Sequence, residues 1–271
     1  MNTERLDSLI KYISKFNKVA VAFSGGVDST FLLKTAKMAL GNKIIALSIN
    51  SPYVPNWEID EAIKITKHLD ILHKIFRVPI DDSLVNNPTY RCYLCKKILF
   101  NKMLKYSKEK GYDILLDGTN IDDTKDYRPG LKALEELNIR SPLKECGFTK
   151  KEIRDFSKQL GLSTYNKHAN ACLMTRFPHN TNITQVDLIK VEEAEIFIHS
   201  IGIDHVRVRV HKDIARIEID NQKRCELFDR EKMDKIVEKL KILGYKYITM
   251  DMEGYKMGSL NEENTNDIRR G

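Results

Sequence analysis

A short apolar run, Lys18-Val-Ala-Val-Ala-Phe23, stops at Ser24-Gly25-Gly26 and gives way to a helical pattern over 29–40, closed by Gly41-Asn42. A buried strand that turns through two glycines into a helix is the first half of a βαβ unit. The pattern then repeats. Residues 43–49 read as a second strand and 57–69 as its helix; 71–78 is a third strand, 96–110 a helix and 113–116 a fourth strand. Helices that carry the chain back between strands of one direction build a parallel sheet, so the spacing predicts an α/β fold.

Beyond Pro178 the rhythm changes. One long helical pattern, 183–201, precedes two alternating strands at 205–210 and 215–219; a charged helix over 222–243 and a last strand at 245–249 follow. These elements are too few for a second doubly wound domain and predict a smaller α+β domain. The boundary falls in the loop 175–181, giving a first domain over 1–177, a second over 178–260 and a polar tail over 261–271.

Composition bears on compartment and partners. No stretch approaches the ~20 apolar residues of a membrane span. Leu6, Leu9, Ile10, Ile13 and Phe16 recur at helical spacing, so the beginning of the chain reads as an amphipathic helix and not as a signal peptide. Five cysteines, an odd number, argue against a disulfide framework, and a cytoplasmic location is expected. The net charge of +7 comes from 45 basic and 38 acidic residues that are interspersed. Without a basic run interleaved with aromatics, no nucleic-acid partner is expected.

The sharpest chemical signal is Ser24-Gly25-Gly26-Val27-Asp28-Ser29-Thr30. At a helix N-terminus, backbone N–H groups and the helix dipole favour anions. Gly25 and Gly26 let backbone approach phosphate, Ser24, Ser29 and Thr30 add hydroxyl donors, and Asp28 offers a hard oxygen to a phosphate-bound Mg2+. No Gly-Lys-Ser/Thr follows, so this is not a Walker A loop. The motif resembles the signature Ser-Gly-Gly-x-Asp-Ser of the PP-loop ATP pyrophosphatases (the adenine nucleotide α-hydrolase-like fold). That resemblance implies ATP cleavage between the α and β phosphates, adenylation of a substrate, and contact of the second strand's end, Ser48 to Ser51, with adenosine.

Further segments narrow the resemblance: Asn-Pro-Thr-Tyr-Arg-Cys-Tyr-Leu-Cys-Lys-Lys (87–97), Asp-Gly-Thr-Asn-Ile-Asp-Asp-Thr-Lys-Asp-Tyr-Arg-Pro-Gly (117–130) and Ala-Cys-Leu-Met-Thr-Arg-Phe-Pro (171–178). Val-Arg-Val-Arg-Val-His (206–211), Ala-Arg-Ile-Glu (215–218) and Gly-Tyr-Lys-Met-Gly-Ser-Leu-Asn-Glu (254–262) extend it across nearly the whole chain. Together they resemble the LarE family of ATP-dependent sulfur transferases, which help build a nickel-pincer nucleotide. The resemblance implies adenylation of a carboxylate of pyridinium-3,5-biscarboxylic acid mononucleotide, then sulfur attack that expels AMP and leaves a thiocarboxylate. It also implies a homo-oligomer and a sulfide or other sulfur donor. Within the family a cysteine at the position of Cys172 can surrender its own sulfur.

This chain adds Cys92-x-x-Cys95. Zinc would want four protein ligands, and three cysteines with no obvious histidine fall short. A redox dithiol remains open, although it would leave Cys172 unexplained, and plain packing cysteines are a further reading. The resemblance to the family's three-cysteine subgroup implies a [4Fe–4S] cluster on Cys92, Cys95 and Cys172, with one iron open to sulfide. Cys146 and Cys225 lie outside the motifs and read as buried structural thiols, and Trp57 as packing. Arg207 and Arg209 share one face of an alternating strand. With Thr175 and Arg176 the resemblance makes them a clamp for the substrate's 5′-phosphate. Asp122, Asp126 and Arg128 read as ATP- or substrate-positioning residues or as turn and capping residues. Glu195 and Glu218 match family positions near a divalent metal. Two rival readings are a tRNA thiolase with the same ATP chemistry and cluster, and a non-catalytic carrier of nucleotide or iron–sulfur.

Overall fold

Along β1 (Val19–Ala22) the side chains alternate between two cores. Val19 and Val21 join Leu9, Phe31, Leu33, Phe148 and Phe156, while Ala20 joins Leu47, Phe76, Met103 and Leu115. A strand apolar on both faces belongs at the centre of a sheet covered on both sides. The computed structural model, which describes residues 3–124, 129–168 and 170–256, places it there. With β2 (Ile44–Asn50), β3 (Leu72–Arg77) and β4 (Ile114–Leu116) it forms a parallel sheet in the order β3-β2-β1-β4. Val19 pairs with Ile44 on one side and Ile114 on the other. Helices α1 (Thr3–Ile13), α2 (Val27–Leu40), α3 (Asn56–His68) and α4 (Arg91–Glu109) accompany the strands. The chain steps outward from β1 to β3, then returns to the other side of β1. That reversal opens a crevice at the carboxyl ends of β1 and β4, the usual ligand position in such sheets.

Three helices absent from the sequence reading follow β4: α5 (Pro129–Glu136), α6 (Pro142–Glu145) and α7 (Lys150–Gln159). α7 has a reciprocal cap, in which Thr149 accepts from the Glu152 N–H and Glu152 accepts from the Thr149 N–H. α4 starts at Arg91, five residues before the expected start at residue 96. Its cap residue, Tyr90, makes no side-chain capping bond, so the sequence carried no start signal there.

By contacts the chain divides into two units. The first holds the chain up to Pro79 and Tyr90–Asn170; the second holds Ile80–Thr89 and the chain from Ala171 onward. This differs from a single boundary in the loop 175–181, and the reason is local. Asn87 donates to the carbonyls of Phe177 (3.1 Å) and Pro178 (2.8 Å), and the Ile183 N–H donates to Val85 O (2.9 Å), binding 80–89 into the second unit. That unit contains α8 (Gln185–Ser200), β5 (Arg207–His211), β6 (Ile214–Glu218), α9 (Arg230–Ile242) and β7 (Tyr247–Met250). β5 and β6 pair antiparallel and β6 and β7 parallel, with α9 as the crossover. The expected helix over 222–243 is shortened, because Asp229 caps α9 by accepting from the Lys232 N–H and the preceding Arg224–Phe228 forms a 3₁₀ turn. The tail over 261–271 lies outside the described residues.

Candidate functional site

The loop after β1 coils on itself. The Ser24 N–H donates to Ser29 Oγ (3.3 Å), the two hydroxyls lie 3.1 Å apart, and the Gly26 N–H donates to Ser24 Oγ (3.3 Å). Gly25 adopts φ +71°, the left-handed region where glycine is unstrained. Gly118, after β4, is held to glycine by space: a Cβ there would lie 3.0 Å from Ser29 N. Gly26 caps α2 with no side-chain hydrogen bond, which leaves the first N–H groups of that helix to an anion. Thr30 Oγ1, in the same turn, is buried without a hydrogen-bond partner.

Two lysines that the sequence reading missed converge on this loop. Lys150, the first residue of α7, forms an ion pair with Asp28, and its backbone N–H donates to Asp122 Oδ2 (2.8 Å). Lys167 donates to Gly25 O (3.1 Å) and to Glu61 (2.6 Å), with its ammonium 5.4 Å from the Trp57 ring centroid. Trp57, expected as packing, is 37% exposed and carries this cation–π contact. Ser24, Asp28, Glu58, Lys150, Lys167 and His168 are among the residues lining a cavity of ≈ 180 Å³. Whole-ligand pockets run to about 300–1,000 Å³, so this recess is smaller than a typical whole-ligand pocket. Asp28 Oδ1 is buried there without a hydrogen-bond partner, the kind of hard oxygen that suits Mg2+.

Ser48, expected to meet adenosine, has its hydroxyl committed within the sheet. It donates to Phe23 O (2.6 Å) and lies 2.7 Å from His73 Nε2. Burial pushes the His73 imidazole down to about 4. Asp122 anchors α7 through the Lys150 N–H, while Asp126 and Arg128 lie outside the described residues.

Cys92 and Cys95 stand one turn apart at the start of α4, the first exposed and the second donating to the Tyr53 hydroxyl (3.5 Å). Cys172 belongs to the second unit, where it precedes the 3₁₀ turn Leu173–Arg176. None of the five cysteines is in a disulfide. Cys225 is exposed, which corrects the expectation of a buried thiol; Cys146 is half-buried against the first core.

In the second unit Arg176, 2% exposed, grips Glu195 with two bonds (2.8 and 3.0 Å) and donates to Ala171 O (3.0 Å) and to the Thr175 hydroxyl (2.8 Å). Arg209 donates to Glu218 (2.9 Å) and to Thr175 O (2.7 Å), and Glu218 also accepts from Arg216 (3.1 Å). Burial and the neighbouring Arg176 hold the Arg207 guanidinium below the ordinary arginine value. Arg176, Arg207 and Arg209 against two carboxylates leave a surplus of positive charge that suits an anion. Glu195 and Glu218, expected near a divalent metal, are here ion-paired: Arg176 holds Glu195, and Arg209 and Arg216 hold Glu218. Among the described residues no three His, Cys, Asp or Glu side chains are grouped to hold a metal ion.

A parallel α/β sheet with Ser24–Thr30 at its switch point defines an enzyme of the PP-loop ATP pyrophosphatase type, and a family model described as NAD synthase matches residues 2–90. More of the chain aligns with individual relatives. A pyridinium-3,5-bisthiocarboxylic acid mononucleotide synthase of Lactiplantibacillus plantarum is 34% identical over 94% of this chain and 93% of its own length. An uncharacterised protein of Synechocystis sp. is 34% identical over 96% of this chain and 98% of its own length. One of Methanocaldococcus jannaschii is 34% identical over 93% of this chain and 96% of its own length. The chain belongs to the LarE family, that of the Lactiplantibacillus synthase.

Proposed function

We propose that the chain is an ATP-dependent sulfur transferase acting on pyridinium-3,5-biscarboxylic acid mononucleotide in nickel-pincer nucleotide synthesis. The observation that carries this reading is the 34% identity to the synthase over 94% of the chain, and it is supported by a Ser24–Thr30 loop that starts α2 without a side-chain cap. A carboxylate is a poor electrophile. Its oxygen attacks the α-phosphorus of ATP, pyrophosphate leaves, and the acyl adenylate gains a good leaving group. Sulfide then attacks the acyl carbon, AMP leaves with the bonding pair, and a thiocarboxylate remains.

In this reading the N–H groups of α2, with Ser24, Ser29 and Thr30, grip the departing pyrophosphate, and Asp28 would hold Mg2+. Arg176, Arg207 and Arg209 supply the positive charge for the substrate's 5′-phosphate, and Thr175 a hydroxyl beside Arg176. Three cysteine thiols outside any disulfide are the right donor type for iron–sulfur ligation. A [4Fe–4S] cluster on Cys92, Cys95 and Cys172 would supply an open iron for sulfide. In this reading the nucleotide chemistry belongs to the first unit and the substrate phosphate to the second. A homo-oligomer in the cytoplasm completes it, and five cysteines outside any disulfide accord with a reducing compartment.

The test is pyrophosphate release from ATP in the presence of the biscarboxylated nucleotide. Asp28→Ala is expected to abolish it with the fold intact by circular dichroism. Full turnover in that variant would remove the assignment.

A further inference from the structure

Lys150 and Asp28 are 122 residues apart in sequence, and two devices bring the ammonium to that carboxylate. The Thr149–Glu152 cap fixes the first turn of α7, Asp122 Oδ2 takes the Lys150 backbone N–H, and the side chain then reaches the PP-loop. Asp28 ends with one oxygen on Lys150 and the other buried without a hydrogen-bond partner. A structural lysine on a protein surface needs no such anchoring. Lys167 supplies the contrast within the same cavity, since its ammonium is committed to Gly25 O and Glu61 and so to the shape of the loop.

We propose that Lys150 is the resident counter-ion of the nucleotide-free loop and that it changes partner, from Asp28 to an ATP phosphate oxygen, when Mg2+ arrives with the nucleotide. This rests on the reading of the cavity as the MgATP phosphate site. Electrostatics sets the order of events. An ammonium on the carboxylate repels a divalent cation approaching the same group, and one carboxylate alone is a weak Mg2+ site. Metal without nucleotide is therefore kept out. A triphosphate brings enough negative charge for both cations, gives Mg2+ further oxygen ligands, and offers Lys150 an acceptor. The lysine backbone stays on Asp122 while the side chain swings. Lys150 then sits against the pyrophosphate that must leave, where a fixed cation stabilises developing charge.

The experiment uses Mn2+ as a paramagnetic probe, following loss of the free-ion signal on titration with full-length protein, with and without the uncleavable α,β-methylene analogue of ATP. Wild type is expected to take up Mn2+ only with the analogue. Lys150→Met is expected to bind Mn2+ without nucleotide at least tenfold more tightly than wild type, and to bind the analogue about tenfold more weakly. Lys150→Arg, which keeps the cation, should behave as wild type and controls for folding. Adding Asp28→Asn to Lys150→Met should abolish the new Mn2+ site. Equal nucleotide-free Mn2+ affinity in wild type and Lys150→Met would overturn the exchange while leaving the MgATP site standing. Failure of wild type to bind the analogue at all would overturn both.

Discussion

Acid should weaken this protein through one histidine. Ser48 has a single hydroxyl proton and gives it to Phe23 O at 2.6 Å, so it must accept from His73 Nε2–H at 2.7 Å. In the neutral ring Nδ1 is then the acceptor, and the Thr66 hydroxyl, 3.1 Å away, turns its proton to it from the carbonyls of Ala62 (3.0 Å) and Ile63 (3.1 Å). The ring also packs edge-on against Phe23, with centroids 5.9 Å apart. Burial lowers its pKa from 6.5 to about 4. The unfolded chain takes up this proton first, so stability is complete above about pH 6.5 and is lost as pH falls towards 4. At about 1.4 kcal/mol per unit of pKa, the loss is about 2 kcal/mol at pH 5 and about 3 kcal/mol at pH 4. Urea unfolding at several pH values should show it, measured against His73→Gln, which cannot titrate but keeps an N–H for Ser48. The other acidic and histidine groups are common to both proteins and cancel. Wild-type and variant curves that run parallel between about pH 7 and pH 5 would refute the argument.

Other perturbations have equally definite outcomes. Gly118→Ala should cost about 1–3 kcal/mol by thermal or urea unfolding and raise the KM for ATP, because its Cβ would press on Ser29 N at the start of α2. Arg209→Met should destabilise by about 3–5 kcal/mol, since Glu218 is 1% exposed and would retain only Arg216 as a charged partner; Arg209→Lys should recover part of that loss. Replacing Cys92, Cys95 or Cys172 by Ala should abolish both iron retention and multiple turnovers with added sulfide under anaerobic conditions. A single turnover that leaves the protein lighter by one hydrogen sulfide, with dehydroalanine at Cys172, would instead establish sacrifice of that thiol by mass spectrometry.

The sheet could be read from sequence because its strands are dense local runs, and because Gly-Gly after Phe23 can serve few purposes between a strand and a helix. β1, β2 and β3 fall where 18–23, 43–49 and 71–78 were expected. The loop after β1 was legible for the same reason. Lys150 and Lys167 were not. Each looks like one of many surface lysines until the fold carries it to residues more than a hundred positions away. His73 was hidden by position: it sits in a strand whose neighbours, Leu72 and Lys74, face solvent, and nothing in the pattern marks its inward hydrogen bonds. The carboxylates of Glu195 and Glu218 matched a motif for metal, but motif position cannot show that guanidinium groups already hold those oxygens. Residues 80–89, a polar stretch between two elements of the first unit, gave no sign of belonging to the second.

That short stretch makes the polypeptide an interlaced thread. The backbone leaves the first unit at Pro79, returns at Tyr90 and leaves again after Asn170, so no single cut separates the halves. A fragment ending at residue 170 would carry Val85 and Asn87 but lose the Ile183 and Asn180 N–H groups that bind them, and the carbonyls that receive the Asn87 amide. A fragment beginning at 171 would lose the same bonds from the other side. During synthesis the segment 80–89 emerges long before its partners, and must wait, solvated, for about ninety more residues. The early part of the chain thereby lends a segment to the second unit, and shortening this protein to a minimal nucleotide-binding piece would mean resewing the loop that joins Pro79 to Tyr90.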